Sequence, residues 1–462
     1  MTQYLILGSG IAGRRAADAI RAQDSAGEVT LIDEQPNPFY ARPMLVELLA
    51  KNLGSEKIPT RELQRLADSG IQLELGAHIQ ELRPNDQRIK LQDGKLLSYD
   101  KLLIASGRKA ARLPCDDGQT NGVVYFDRLN EALELSATVK PTLRVAVYGT
   151  SYQALGVTAG LRRRGIETTL LVPEDRILAD ALDPIASDIV EKRLQQEGVN
   201  VITQANIHML VKEQSDLQAV VVGNGAKITT DLLIVTSPQA PLNDYLAQTA
   251  LVTNGGILVD NKLRSSIENI YVAGDIAELS GDSRTNAMLQ TGWLRAWKQG
   301  DIAGSNIAGA SLAYNDIPSI RTRALDLDIV CLGDSGAEGP GITYETAGIH
   351  PDVPYIYKKL VYRNDHLIGA IFIGDVTEAG TVEHWIQDGL GASQCDKAVL
   401  DQMFGTRFGQ AVAHGVLCPV CKFQMQMDES TQEGSIITCP ACGLDFKIAR
   451  LPNGAYTAIS VG

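Results

Sequence analysis

The sequence predicts an α/β protein in which two Rossmann-like folds are followed by an α+β domain and a small four-cysteine module. Three observations carry this reading. A strand, a glycine turn, a helix and a second strand follow one another at Tyr4–Asp33, and the same order recurs around VYGTSYQALG, Val147–Gly156, with the second strand ending at Val172. After Ile317 the chain alternates apolar and polar residues with turn signals, the pattern of an antiparallel sheet. Near the end, Cys418 and Cys421 are matched by Cys439 and Cys442.

The first unit reads YLILGSGIAGRRAADAIRAQ, and a second strand, VTLI, ends on Asp33. Gly8 permits a tight turn, Gly10 lets backbone approach a pyrophosphate, and Gly13 allows close packing of helix on strand, with Ile11 and Ala12 completing the turn. The helix then offers free N–H groups and its positive dipole end to phosphates. Asp33, 20 residues after Gly13, is placed to accept from ribose hydroxyls, with Glu34 beside it. This is a complete dinucleotide fingerprint, although it does not by itself distinguish FAD from NAD.

Two distant segments distinguish them. LLIASGRKAARLP, Leu102–Pro114, resembles the exit from an FAD domain, and GGILVDNKLRSSIENIYVAGDIAEL, Gly255–Leu279, resembles the return to it. With these, the chain resembles the FAD-dependent pyridine nucleotide-disulfide oxidoreductase superfamily over roughly residues 1–400. The resemblance is to its non-disulfide branch of rubredoxin reductases, ferredoxin reductases and the flavin portion of nitrite reductase large subunits. It implies a two-dinucleotide-binding (FAD/NAD(P)-binding) fold, and Asp275 after Gly274 as the partner of the FAD ribityl chain. Ala105, Ser106 and Gly107 are further expected cofactor contacts. The helix through Trp293 and Gln299-Gly300 is expected to aim its N-terminus at the flavin.

Disulfide reductases of the superfamily carry a redox cysteine pair beside the flavin. Here Gln35–Gly107 and Asp116–Val330 contain no cysteine, so a dithiol at those places is excluded. The corresponding stretch, PFYARPMLVELLAK, resembles the YxRPxLSK segment of rubredoxin reductases, with Tyr40, Arg42 and Pro43 on the pattern and Arg42 and Pro43 as expected FAD contacts. Glu47 replaces the lysine of that segment. In relatives this lysine pairs with a glutamate of the second fingerprint, whose place here is taken by Gly156.

The second fingerprint, VYGTSYQALG, keeps Gly149 but has Ser151 and Ala154 at the second and third glycine positions. Both are small, and Ser151 can hydrogen-bond a phosphate, so Gly149 and Ser151 are expected to contact NAD(P)H. The following strand ends at Val172, where an NAD-binding relative has an acid. Glu174 could take over from that acid two residues late. Arg176, or the run Arg162–Arg164, could meet an NADP phosphate, and the simpler reading of the run is a solvated helix face. Ser237-Pro238 and Pro241 also replace a glycine-containing segment of relatives. Two alternatives therefore stand: a working NAD(P)H site, or a retained fold that no longer binds nicotinamide.

The segments after Ile317 carry turn signals at Arg363-Asn364-Asp365 and Gly374-Asp375, and they resemble the superfamily's interface domain. TRFGQAVAHG leads to the cysteines, whose spacing of C-x2-C-x17-C-x2-C predicts a tetrahedral four-thiolate metal site. Zinc would make it a structural ribbon, and iron a rubredoxin-like one-electron centre. CPACG resembles rubredoxin's second knuckle, whereas Lys422 stands where its first knuckle has glycine. A Rieske cluster is excluded, because no histidine stands at the knuckles.

Composition narrows the classes. With 42 basic and 55 acidic residues the net charge is −13, which argues against nucleic-acid or anionic-membrane binding. No apolar run spans a bilayer, a strand starts almost at Met1, and seven unevenly distributed cysteines suit a reducing compartment, so a cytoplasmic location is expected. The expected domains are 1–113 with 247–316 for FAD, 114–246 for NAD(P), 317–402 for the interface and 412–462 for the metal module. The expected activity is electron transfer from NAD(P)H through FAD to a one-electron acceptor, either the four-cysteine site or a redox partner protein. The alternative is an FAD-binding partner or assembly subunit with a vestigial second site and a zinc ribbon. A homodimer or a place in a larger complex is compatible with either. Without a sirohaem and iron–sulfur portion, the chain is not a complete nitrite reductase.

Overall fold

The computed structural model describes residues 1–54, 61–237, 239–251, 255–280, 291–347, 355–404, 415–421, 423–427, 431–450 and 456–461. The features noted at Pro238 and Lys422, and nearly all of TRFGQAVAHG, lie outside the described residues. Two compact units emerge: 1–42, 55–109 and 239–316 form one, while 43–54, 110–238 and 317–462 form the other.

In the first unit a five-stranded parallel sheet runs in the order Ile270–Val272, Lys101–Ile104, Gln3–Leu7, Glu28–Asp33, Ile71–Leu75. Its strands are near-continuous apolar runs because helices and loops bury both faces; Ile6, Leu7, Ile32, Leu102 and Leu103 are almost wholly inaccessible. The helices Ile11–Gln23 and Trp293–Ile307 cross on glycines. A Cβ at Gly300 would lie 2.3 Å from Ala12 O, and one at Gly304 would lie 2.5 Å from Ala16 O, so only glycine permits this approach.

The second unit contains another five-stranded parallel sheet, in the order Asn200–Ile202, Glu167–Leu171, Arg144–Tyr148, Leu232–Val235, Val123–Tyr125. The helix Tyr152–Arg163 follows its central strand. The short helix Met44–Leu49 clusters with this unit and meets Tyr152–Arg163 at two glycines: a Cβ at Gly156 would be 3.1 Å from Val46 Cγ1, and one at Gly160 would be 3.1 Å from Ala50 Cβ.

Beyond Ile317 the expected antiparallel sheet is present, ordered Ser319–Ala324, Leu327–Gly333, His366–Ile373, Tyr357–Arg363, Ile342–Ala347. Asn364 and Asp365, both with positive φ, make the tight turn between two of its strands. Lys358 is buried in this sheet, with Nζ 2.6 Å from Asp375 and 2.7 Å from Glu378. The chain ends in a two-stranded hairpin, Gly415–Leu417 with Gln424–Gln426, and a three-stranded sheet, Ile436–Thr438, Asp445–Arg450 and Tyr456–Ser460.

Candidate functional site

The first glycine turn is built by the register of its strands. Leu7 pairs with Ile32 on one side and Ile104 on the other, and the next amide, Gly8 N–H, donates to Ile32 O at 2.7 Å. Gly8 has φ +106°, and a Cβ there would sit 2.3 Å from Ala105 O, so the turn needs glycine twice over. Gly13 is equally constrained, since its Cβ would overlap Gly8 O.

Asp33 lies at the end of its strand, where Oδ2 accepts from both Ser9 N and Ser9 Oγ at 2.7 Å and Oδ1 accepts from Gln35 N at 2.8 Å. The turn and the acid therefore hold each other. Gly10 caps the helix without a side-chain bond, and a Cβ at Gly10 would meet nothing within 4 Å. That leaves an open space in front of helix N–H groups, the arrangement that binds phosphates.

Other expected contacts converge on the same end of this helix. Ala105 and Ser106 lie against Gly8, and Gly107 takes φ +71° and accepts from Leu242 N at 3.0 Å. Ser106 Oγ donates to Leu242 O at 2.9 Å. Gly274 has φ +81°, and its Cβ would be 3.1 Å from Ala12 Cβ, which brings the Gly274-Asp275 turn against the helix start. Asp275 Oδ1 accepts from Gly292 N at 2.9 Å, one residue before the helix Trp293–Ile307. Arg108 Nε donates to Asp275 O at 2.8 Å, and the Arg42 guanidinium reaches Arg108 O at 3.4 Å. Glu34, next to Asp33, has its carboxylate 3.9 Å from His78 Nδ1. Pro43, the N-cap of Met44–Leu49, clusters with the second unit.

The second turn repeats the register. Tyr148 pairs with Leu171 and Val235, and Gly149 N–H donates to Leu171 O at 3.1 Å. Val172 thus stands where Asp33 stands in the first fold, and it is buried. With no acid there, Thr150 N–H turns to Ser237 Oγ at 3.2 Å. Ser151 Oγ accepts from Ala154 N at 3.3 Å and so caps its own helix. Ser237 was not apparent as part of this turn from its own neighbourhood. Aligning LLIASG with LLIVTSP places Ser106 on Thr236, and only the strand register, with Ile104 equivalent to Val235, matches Ser106 to Ser237.

The arginine run departs from the expected solvated face. Arg164 donates to Leu49 O at 2.8 Å, Val139 O at 2.7 Å and Ser136 O at 3.3 Å, closing the C-terminal ends of two helices. Arg162 donates to Glu197 O at 2.9 Å and Ile166 O at 2.8 Å. Arg176 bonds Ala179 O and pairs with Asp175 at 3.0 Å. Of the run, only Arg163 fits the solvated reading. The carbonyls of Leu49, Ser136, Val139 and Glu197 belong to helix ends, where acceptors lack intrahelical partners, a need that the arginine residues alone do not advertise. The absent lysine–glutamate pair also has a physical reason: Gly156 is occupied by its contact with Val46, and Glu47 bonds Asn52 at 2.8 Å.

The four cysteines meet as their spacing predicts. All four ligand atoms lie within 4.8 Å of one another, and all four residues are buried. Sγ of Cys418 is 3.6 Å from that of Cys442, and Sγ of Cys421 is 3.5 Å from that of Cys439. Sulfurs at about 2.3 Å from a tetrahedral ion stand about 3.8 Å apart, so the cage fits a single ion of that kind. Cys421 N–H points to Cys418 Sγ at 3.4 Å, and Gly443, with φ +72°, relaxes the second knuckle. Cys331 and Cys395 lie apart from this group, and burial pushes both thiols up.

Two parallel sheets with glycine turns at their strand ends define a two-nucleotide oxidoreductase fold. Residues 2–293 match the pyridine nucleotide-disulphide oxidoreductase family, and the chain belongs to it. Residues 318–390 match the rubredoxin NAD+ reductase C-terminal domain. The chain is 28% identical over 382 residues to the 3-phenylpropionate/cinnamic acid dioxygenase ferredoxin–NAD(+) reductase component of Photorhabdus laumondii, covering 81% of this chain and 93% of the relative. It is 27% identical over 309 residues to a rubredoxin-NAD(+) reductase of Pseudomonas putida, covering 66% of this chain and 80% of the relative. In fold it is similar to putidaredoxin reductase in its covalent complex with putidaredoxin, with TM-score 0.78, 21% identity, and 86% and 96% of the two chains covered. It is also similar to NADH:rubredoxin oxidoreductase from Clostridium acetobutylicum, with TM-score 0.69, 22% identity, and 87% and 99% covered. No helix among the described residues is long and apolar enough to cross a membrane.

Proposed function

We propose that this protein is an FAD-dependent oxidoreductase that takes electrons from NAD(P)H and passes them to a one-electron acceptor. The family supports FAD and a nicotinamide nucleotide as cofactors. The observation that carries the reading is the first turn, where Gly8, Gly10 and Gly13 leave helix N–H groups open and Asp33 is fixed by Ser9. In this reading the turn holds the FAD pyrophosphate, Asp33 the adenosine ribose and Asp275 the ribityl chain. Bound there, the flavin supplies the conversion of a two-electron donor's hydride into single electrons. The chain's own task is to orient it: glycines admit the phosphates, and Asp275 is itself held by Gly292 N–H.

The relatives' names pair them with ferredoxin or rubredoxin, and a protein of that kind is the proposed partner. The four thiols are proposed to hold one metal ion through Cys418, Cys421, Cys439 and Cys442. Iron would make that site an internal acceptor, and zinc would leave the acceptor to the partner. A cytoplasmic setting accords with seven cysteines all in the free form.

A second reading is favoured by two observations, the engagement of Thr150 N–H by Ser237 and the burial of Val172 at the position equivalent to Asp33. In it, the second fold is vestigial and the protein is an FAD-binding subunit fed by a neighbour. Anaerobic mixing of fully flavin-loaded protein with NADH and with NADPH separates the two. Bleaching of the flavin band is expected, and bleaching by neither nucleotide would overturn the donor assignment. The same spectra read the metal, since ferric thiolate absorbs in the visible and zinc does not.

A further inference from the structure

The two nucleotide folds of this chain can be compared residue by residue, because their strand registers coincide. Gly8 N bonds Ile32 O as Gly149 N bonds Leu171 O, and Ala105 N bonds Leu7 O as Thr236 N bonds Tyr148 O. Three positions then correspond: Gly10 with Ser151, Asp33 with Val172, and Ser106 with Ser237. At Ser151 and Ser237 the second fold spends side-chain oxygens on its own backbone amides, and at Val172 it lacks the carboxylate that Asp33 supplies to the first.

We propose that Ser151 and Val172 hold the second fold in a low-affinity form for nicotinamide nucleotides, Ser151 acting at the pyrophosphate and Val172 at the adenosine ribose. This rests on the reading that such a nucleotide is the electron donor. Gly10 has no side chain and faces open space, whereas the equivalent Ser151 carries a Cβ and a hydroxyl at the start of its helix. Its Oγ also engages Ala154 N–H, one of the few first-turn donors a phosphate can use.

The ribose position is altered in a separate way. Asp33 offers a carboxylate that already orients the turn through Ser9, while Val172 offers no acceptor, and the Thr150 amide is held by Ser237 instead. The guanidinium groups of Arg162, Arg164 and Arg176 are each tied to backbone carbonyls of the fold itself.

The two positions therefore predict different signatures. Ser151→Gly opens the phosphate approach and treats both nucleotides alike. Val172→Asp adds an acceptor for ribose hydroxyls and repels a 2′-phosphate, so it favours the unphosphorylated nucleotide alone. The flavin-loaded protein is titrated calorimetrically with NAD+ and with NADP+. Ser151→Gly is expected to tighten both by about fivefold, the worth of one net hydrogen bond. Val172→Asp is expected to tighten NAD+ by a similar factor and to leave NADP+ unchanged or weaker. If burial of the new acid prevents folding, Val172→Asn supplies an uncharged acceptor and should still tighten NAD+.

Unchanged or weaker NAD+ binding in both Ser151→Gly and the folded position-172 variant overturns the proposal. A parallel gain for NADP+ in Val172→Asp overturns the ribose half of it. The donor reading is tested apart, by flavin bleaching with NADH. Tighter NAD+ binding without bleaching would sink the donor reading and leave the assignment of these residues standing. Bleaching with unaltered binding would do the reverse.

Discussion

Gly156 lies so close to Val46 that a Cβ on the glycine would stand 3.1 Å from the valine Cγ1. The helices Met44–Leu49 and Tyr152–Arg163 therefore meet on bare backbone at this point, and four residues on Gly160 repeats the contact with Ala50. Installing the relatives' acid by Gly156→Glu is expected to overpack the contact. A loss of about 1–3 kcal/mol is expected in urea unfolding, and the double variant with Glu47→Lys should not recover it.

Arg164 joins the helix Met44–Leu49 to the helix Leu129–Thr138 through carbonyls of Leu49, Ser136 and Val139. Arg164→Ala leaves those acceptors unpaired, and about 1–3 kcal/mol of stability should be lost in the same measurement. Because its guanidinium is engaged by carbonyls, Arg164→Ala should leave the ratio of NADPH to NADH turnover unchanged. A selective loss with NADPH would return this residue to the nucleotide.

Asp183 caps the helix Pro184–Gln196 by accepting from Ala186 N at 2.9 Å, and it also receives Tyr357 Oη at 2.7 Å and Lys359 Nζ at 3.0 Å. Burial alone would raise this carboxyl, but the amide, the phenol and the ammonium together hold it below the ordinary carboxylate range. Its stabilisation is complete above the unfolded value, near pH 4, and is lost as pH falls through the lower folded value. Asp183→Asn should therefore be less stable than the parent at pH 7, and the gap should narrow below about pH 4 when urea midpoints are compared across pH. A gap that stays constant to pH 2 would contradict this.

The thiolate cage should carry about one metal ion per chain by elemental analysis. Cys439→Ser is expected to lower that content severalfold and to expose the segment from Gly415 onward to protease, while flavin content stays at the parent level. Full metal retention in Cys439→Ser would remove Cys439 from the ligand set.

Much of this was legible in the chain. Glycines at 8, 10 and 13 with Asp33 forecast the first turn, because Gly8 and Gly13 stand where any Cβ would overlap backbone and Asp33 fixes the turn through Ser9. The cysteine knuckles were legible for a similar reason, since four ligands at fixed spacing admit few arrangements. Arg162 and Arg164 misled because a charged run looks alike whether it meets water or helix carbonyls, and the carbonyls come from segments remote in sequence. Ser237 was hidden by the same distance: its bond to Thr150 spans 87 residues. Gly156 read as a missing acid, and only the packing of another helix revealed how tightly a side chain there would meet Val46.

The first unit is assembled from three separate stretches of chain, with Ile270–Val272 completing a sheet begun at Gln3–Leu7. During synthesis, strands that emerge early must therefore wait with one edge unpaired until the ribosome has passed Val272. The intervening sheet, whose strands all lie between Val123 and Val235, can close first. Loop closure over so long an insertion is slow but adds little to the equilibrium cost. The order of birth is thus inverted relative to the order of sequence: the second fold matures while the first is still waiting for its last strand.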